Sequence, residues 1–289
     1  MQMPIESLNL QMLNVGFARH DNDWNWQHVN SPFTRIYCVT EGEARLHIES
    51  PLSEIVNLRP GHLYIIPAYT THSYECHGVF GHYYLHVYEG FKKETGVMER
   101  YDLPTEVEAQ AGDEELMAEM CRRHPEARLP ESNPQSYDNT GKFTDYVRRY
   151  NDMPLHEKMQ LRGATLILFS RFMEHAKEKL WTRDERLVRV LAHIHQCIYE
   201  DISIETLAEV ACVSKPYLIR VFKHELGMSP LQYINHKKVE RAQLLLLTED
   251  MAVKEVAYSL GFNDHSYFIR LFKKITGRTP MEYRQMYNS

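Results

Sequence analysis

The seventeen residues YLIRVFKHELGMSPLQY (217–233) return fifty positions later as YFIRLFKKITGRTPMEY (267–283), with Tyr, Ile, Arg, Phe, Lys, Gly, Pro and Tyr unchanged. Upstream, LAEVACVS (207–214) pairs with VAYSLGFN (256–263) at an offset of 49, so the single-residue slip falls at the turn between the matched blocks. Similarity this dense means that one structural unit occurs twice. Two copies are too few for a solenoid, whose repeats bury their apolar faces only by stacking several deep. The tail of this 289-residue chain must therefore fold as a pair of like units.

Inside each copy the spacing predicts two helices joined by a tight turn. In the first, Ser203 is placed to cap a helix carrying Leu207, Ala208 and Ala211, and Ser214 opens a second helix after the turn Cys212-Val213-Ser214. Leu218, Val221 and Phe222 form its inner face; Pro216 fits the first turn, where a missing N–H costs nothing, and Gly227 closes the helix. In the second copy Glu255, Val256 and Ala257 lie on the first helix and Gly261-Phe262-Asn263-Asp264 makes the turn. Gly261 gives the backbone access to positive φ, Val213 and Phe262 plug the gap between helices, and Phe268, Leu271 and Phe272 point inward.

The outward faces are then Lys215, Pro216, Ile219, Arg220 and Lys223 in one unit and His265, Ser266, Ile269, Arg270, Lys273 and Lys274 in the other. A B-DNA major groove admits one helix, and an arginine there can pair with guanine O6 and N7. Ile219 and Ile269 suit a thymine methyl; Lys223, Lys273 and Lys274, later in their helices, suit phosphate. A connecting helix, Leu231 to Leu247, would span about 25 Å at 1.5 Å per residue, a rod able to set two helices in successive grooves about 34 Å apart. Any single cation on such a face can instead be solvated surface or an intramolecular ion-pair partner. Arg220 and Arg270 stand out because they share one repeated position. Tyr217 and Tyr267 read equally as phosphate contacts or as partly buried core.

Charge permits a polyanion partner only in this tail. The whole chain has a net charge of −6, but from Arg183 to Ser289 there are 15 Lys plus Arg against 13 Asp plus Glu, a net of +2, which leaves −8 for the rest. With 43% apolar and 25% charged residues the composition is globular, and the length suits two domains of roughly 100–180 residues. MQMPIESLNLQML lacks the basic start and apolar run of a signal peptide, and the longest apolar stretch, Ala164 to Phe169, is far short of the roughly 20 residues that cross a membrane. Five cysteines (38, 76, 121, 197 and 212) form no CxxC, which points to a reduced, cytoplasmic protein with inert thiols.

Residues 1 to about 90 run in short segments rich in β-branched and aromatic residues. FTRIYCV, ARLHI, LYIIP and HYYLHVY, with turn-like EGE (41–43) and RPGH (59–62), predict a small antiparallel sandwich or barrel. Glu106 to Arg123 is predicted as one helix ended by Pro125, followed by a polar loop around Pro130, Asn133, Pro134 and Gly141. Pro154 opens a helical run to about 180, in which Leu161, Ala164, Leu168, Phe172 and His175 recur at three and four. That stripe needs a partner, either a second copy of the chain or the chain's own core. WTRDE (181–185) reads as a boundary.

The repeated tail resembles the AraC/XylS family of bacterial transcription regulators. The family's closing signature, GF, a short polar stretch, SYF, RxFKK, G, TP and YR, stands here as GFNDHSYFIRLFKKITGRTPMEYR (261–284), and residues from about 186 to 286 resemble the family's whole DNA-binding domain. Carried over by position, its base-facing places fall at Pro216, Ile219 and Arg220, and at His265, Ser266, Ile269 and Arg270. Pro216 and Ile219 lack the polar reach found in some relatives, which leaves base hydrogen bonding by the first unit mainly to Arg220. More loosely, RPGHLYIIPAYTTHSYE (59–75) looks like the PG turn, apolar strand, proline and histidine of the cupin-like sensing domain in sugar-responsive members.

The resemblance implies an α+β multidomain fold: a cupin-like β-barrel over 1–95, helices over 96–182 that link and dimerise, and an all-α DNA-binding domain with two helix-turn-helix units over 183–289. It implies a homodimer on double-stranded promoter DNA that activates transcription through RNA polymerase and answers to a small effector such as a sugar. Trp24, Trp26, His28, Arg35, Tyr37, His72, Tyr74, His82 and Tyr84 could line the effector site, since aromatic plates with Arg and His donors suit a sugar; a place in the core is the alternative for each tryptophan.

A metal is the rival reading for His62, His72, His77, His82 and His86, because cupins often carry one. His82 and His86 share a strand face, but about 13 Å of separation keeps them from holding one ion, and the HxH pattern followed by Glu is absent. No catalytic residue, metal ligand or cofactor is therefore assigned. Three readings stay open: an effector-responsive regulator, a regulator whose front domain only dimerises, and a metal-dependent cupin enzyme.

Overall fold

The computed structural model describes residues 5, 8–49, 53–89, 96–134, 140–179, 184–248 and 251–286. The chain divides into two compact units, residues 1–90 with 103–176, and residues 91–102 with 177–289. Residues 181–183 of the WTRDE boundary lie outside the described residues.

The first unit is built on two antiparallel sheets. One runs β1 (Leu10–Asp21), β7 (Val79–Glu89), β2 (Thr34–Gly42), β5 (His62–Ile66), β9 (Glu106–Glu108); in the other, β3 (Ala44–Ile48) stands between β4 (Glu54–Leu58) and β6 (His72–Glu75). The four segments predicted as strands fall in β2, β3, β5 and β7. Their alternation brings Tyr37, Val39, Leu46, Tyr64, Ile66 and Phe80 into one shared core. Strand β1 escaped prediction because LQMLNVGFARHD has Val15 as its one β-branched residue; pairing with β7 from Leu10↔Glu89 to Asp21↔Val79 overrides that weak preference. Gly16 faces Tyr84 in this ladder, and a Cβ there would stand 2.2 Å from the Tyr84 hydroxyl, so only glycine lets that ring lie across β1.

Among the helices, α1 (Val97–Arg100) belongs to the second unit, whereas α2 (Asp113–Arg123), α3 (Thr140–Asp152) and α4 (Leu155–Met173) pack on β1 in the first. The expectation of one helix over Glu106–Arg123 is corrected. Glu106–Glu108 pairs with β5 at the sheet edge, burying Val107, and the chain turns at Gly112 (φ 93°) before α2 begins. Asp113 then fixes the new start: its carboxylate accepts from Gln110 N at 2.8 Å and from the Arg171 guanidinium of α4 at 3.0 Å. The run expected to about 180 ends at Met173, because Lys177–Glu178 (β10) is taken into a short ladder with Tyr101–Asp102 (β8). Leu161, Ala164, Leu168 and Phe172 are buried inside the unit, so the chain's own core takes the stripe, while His175 is exposed beyond the helix. A second apolar line on α4, Leu155, Met159 and Ile167, is 74, 66 and 46% exposed.

The second unit holds two apolar cores. α5 (Glu185–Gln196), α6 (Ile204–Ala211) and α7 (Lys215–Leu226) close over one; α9 (Val253–Ser259), α10 (His265–Thr276) and α11 (Pro280–Met286) close over the other. The long α8 (Pro230–Thr248) gives Tyr233 and Ile234 to the first core and Val239, Ala242 and Leu246 to the second. α1 is tied to this unit through Glu99, whose carboxylate lies 3.2 Å from His195 Nε2 and 3.5 Å from Lys237 Nζ.

Burial alone would raise the Glu99 carboxyl, but Lys237 and His195 outweigh it and hold the group at about 2. A carboxyl lowered on folding contributes stability that is complete above its ordinary value of roughly 4.3 and disappears as the pH falls through the folded value. Glu99→Gln is accordingly expected to flatten the acid limb of stability. Calorimetry of both proteins at about pH 6 and pH 3 checks this, and equal losses of Tm would rule the ion cluster out as the cause.

Candidate nucleic-acid interface and barrel cavity

Each helix-turn-helix unit is built by local chemistry. Ser203 caps α6 by accepting from Thr206 N at 3.0 Å, and the turn follows at Cys212 (φ 54°), with Val213 N donating to Ala208 O. Ser214 stands at the N-cap of α7, though its side chain makes no capping bond. Asp264 caps α10 through Ser266 N and Tyr267 N, after a turn at Gly261 (φ 68°) in which Phe262 N donates to Ala257 O. Leu218 and Phe222, and equally Phe268 and Phe272, are buried. Lys215, Pro216, Arg220 and Lys223 are exposed on α7, as are Ser266, Arg270, Lys273 and Lys274 on α10; Ile219, His265 and Ile269 are half-buried at the same faces.

The two faces are not equally free. Lys215 pairs with Glu205, and the Arg220 guanidinium lies 5.2 Å from the Tyr217 ring. Arg186 also reaches that ring, at 5.3 Å, while Asp184 grips it with hydrogen bonds of 3.0 and 2.8 Å. In the second unit Tyr267 instead accepts from Asn235 Nδ2 at 3.1 Å. Sequence reasoning missed Arg186 and Asn235. The repeat itself held the signal, since they precede their tyrosines by 31 and 32 positions.

The units are also locked to each other. Buried Lys238 of α8 donates to Glu200 O at 2.7 Å and stands over the Phe262 ring at 5.2 Å. A Cβ on Gly261 would lie 2.7 Å from the Glu200 carbonyl carbon, so the second unit's turn rests directly on the loop between α5 and α6. Asn263 Nδ2 reaches Asp201 at 3.3 Å beside it. The 19-residue α8 spans about 28 Å at 1.5 Å per residue. What presents the two recognition helices is therefore one braced body.

The first unit contains a cavity of about 520 Å³. Of the candidate effector residues, Trp24, Tyr37, His82 and Tyr84 line it, joined by Phe17, His20 and His86, with Arg19, Arg128 and Glu131 at the rim. The others stand elsewhere. His28 is exposed and bonded to Glu49; buried Arg35 donates to Ser31 Oγ and covers the Phe33 ring; Trp26 packs partly buried against the core. His72 Nε2 meets the Tyr74 hydroxyl at 2.8 Å, and that hydroxyl meets Tyr37 at 2.6 Å, a polar chain leading to the cavity wall. Burial lowers His72 to about 3 and holds His82 and His86 well below the ordinary histidine value. Among the described residues no three His, Cys, Asp or Glu side chains stand close enough to share an ion. His20 and Phe17 were missed with β1; the rim was missed because residues 128–132 read only as polar loop.

Residues 207–286 match a family model described as a helix-turn-helix domain. The chain is 33% identical over 150 residues to "Uncharacterized HTH-type transcriptional regulator YijO" of Escherichia coli (strain K12), which covers 50% of this chain and 52% of that protein. It is 34% identical over 119 residues to the "Arabinose operon regulatory protein" of the same organism, covering 40 and 41%. The chain thus spans about half, or less, of the length of the curated relatives it matches. Among solved structures, unsaturated fatty acid bound ToxT from Vibrio cholerae aligns over 96% of this chain and 95% of its own at a TM-score of 0.54 and 14% identity, a likeness of fold.

Proposed function

We propose, from the premise that residues 207–286 are an AraC-type helix-turn-helix domain, that the chain is a sequence-specific DNA-binding transcription regulator that responds to a small effector. The observation that carries this is the repetition of one geometry. Arg220 and Arg270 project from equivalent exposed positions of two recognition helices that α8, Lys238 and the Gly261 turn hold as one body. Two such helices suit successive major grooves on one face of a duplex. Residues 183–289 are then the DNA-binding part, 1–95 the sensing barrel and 96–182 the linking and dimerising part. The base-facing set is Pro216, Ile219, Arg220, His265, Ser266, Ile269 and Arg270, with Lys215, Lys223, Lys273 and Lys274 toward phosphate. The protein works in the cytoplasm as an activator that contacts RNA polymerase. Selection of bound duplexes from a random pool is the test. It is expected to return asymmetric sites with two conserved blocks about one helical turn apart, and protection of a single groove would refute the reading.

The barrel cavity supports the effector, of sugar size by its roughly 520 Å³ and aromatic lining. For such a ligand to regulate, it must bind one arrangement of the protein better than another. The homodimer is formed on α4. Its line of Leu155, Met159 and Ile167 is exposed among the described residues, and a second copy is the occupant with a matching apolar face. Met159→Glu with Ile167→Glu is expected to convert dimers to monomers in analytical ultracentrifugation while circular dichroism stays that of the folded chain. A dimer that survives both changes places the interface elsewhere.

A further inference from the structure

We propose that the barrel cavity selects an uncharged ligand bearing hydroxyl or amide groups, one of which donates to His20 Nε2, with Asp23 fixing the tautomer that accepts it. This rests on the reading of the chain as effector-responsive. His20, on β1, is 3% exposed, and its ring stacks against Trp24 and His82 with centroids 5.3 and 5.5 Å away. Its Nδ1 lies 3.2 Å from Asp23 Oδ1. An ionised carboxylate only accepts, so Nδ1 carries the proton and Nε2 keeps a lone pair. That Nε2 is buried in the cavity wall with no hydrogen-bond partner. His82 Nδ1, in the same wall, is buried and unsatisfied as well, and among the described residues no hydrogen bond fixes its tautomer. Native interiors rarely leave such atoms unmatched, and a ligand hydroxyl or amide matches both, donating to the first and adapting to the second.

The lining disfavours an anion. Burial lowers both imidazoles, and the nearby His20 lowers His82 further. A carboxylate would set its lone pairs against that of Nε2, or need a proton on a ring that burial keeps neutral. At the rim Arg19 is committed to Glu41 at 3.0 Å, and the charge of exposed Arg128 is screened by water and offset by Glu131 in the same lining. Phe17, Trp24, Tyr37 and Tyr84 supply apolar faces for a ring.

The experiment is ligand-observed NMR on the full chain with a set of ring compounds, each present as its alcohol, amide and carboxylate. Alcohols and amides are expected to bind, with the matched carboxylates about tenfold weaker or absent. Asp23→Ala, at a position 62% exposed, removes the acceptor that holds the proton on Nδ1 and frees it to move to Nε2. Carboxylates should then gain on their matched alcohols and amides by about tenfold. His20→Phe keeps the stacking and should abolish binding. Carboxylates binding as tightly as their neutral partners, or selectivity unchanged in Asp23→Ala, overturns the proposal and leaves the effector reading standing. If no member of any class binds while the selected DNA is still held, both fall, and the front domain only dimerises.

Discussion

Arg270→Ala is expected to weaken binding to the selected operator by about 1 to 3 kcal/mol, roughly five- to 150-fold, while affinity for random duplex changes little. Arg270 is exposed on α10 and, among the described residues, carries no ion pair that would hold it back from a base. It stands at the position that Arg220 occupies in α7, but without the tyrosine stacking that Arg220 has. A bidentate contact to guanine would be sequence-dependent, whereas a phosphate contact would be lost equally on every duplex. Fluorescence anisotropy with operator and scrambled DNA at one salt concentration separates the two. Equal losses on both would reduce Arg270 to an electrostatic anchor.

Gly261→Val should severely destabilise the second helix-turn-helix unit. The new Cβ would meet the Glu200 carbonyl carbon at 2.7 Å, its oxygen at 2.8 Å and Asp201 N at 3.1 Å, and all three are backbone atoms that cannot swing aside. A branched residue would also be held at φ 68°, a conformation that costs about 1 to 3 kcal/mol. Crowding adds a similar amount, so the total is about 2 to 6 kcal/mol, and the Tm of a domain this size falls by roughly 4–8 °C for each kcal/mol. Operator binding should fail at temperatures where Arg270→Ala is still folded. A variant with unchanged Tm would mean that the turn does not rest on the Glu200 loop.

The helix-turn-helix pairs were legible because their determinants lie within a few residues of each other. Ser203 and Asp264 cap helices three or fewer positions away, and Leu218 with Phe222, like Phe268 with Phe272, sits one helical turn apart. The repeat doubled each of these signals. The split of Glu106–Arg123 was illegible for the opposite reason. Glu106–Glu108 follows the edge of β5, some forty residues earlier, and no local pattern announces that pairing. In the first unit, Tyr37, His82 and Tyr84 could be guessed from aromatic strands and Trp24 from its indole alone, but not Phe17 and His20, whose strand has little β preference of its own.

Taken alone, the sequence determined that two like helical units would form and which face of each would point outward, since caps, turns and helical periodicity act over short distances. Folding decided what those units do together. Lys238 meets Glu200 across 38 positions and Asn263 meets Asp201 across 62, so the bracing of the recognition helices rests on neighbours that only the packed chain brings together. The cavity is of the same kind: its wall and rim run from residue 17 to residue 132, and its unsatisfied imidazoles arise from burial, which no residue possesses until the sheets have closed.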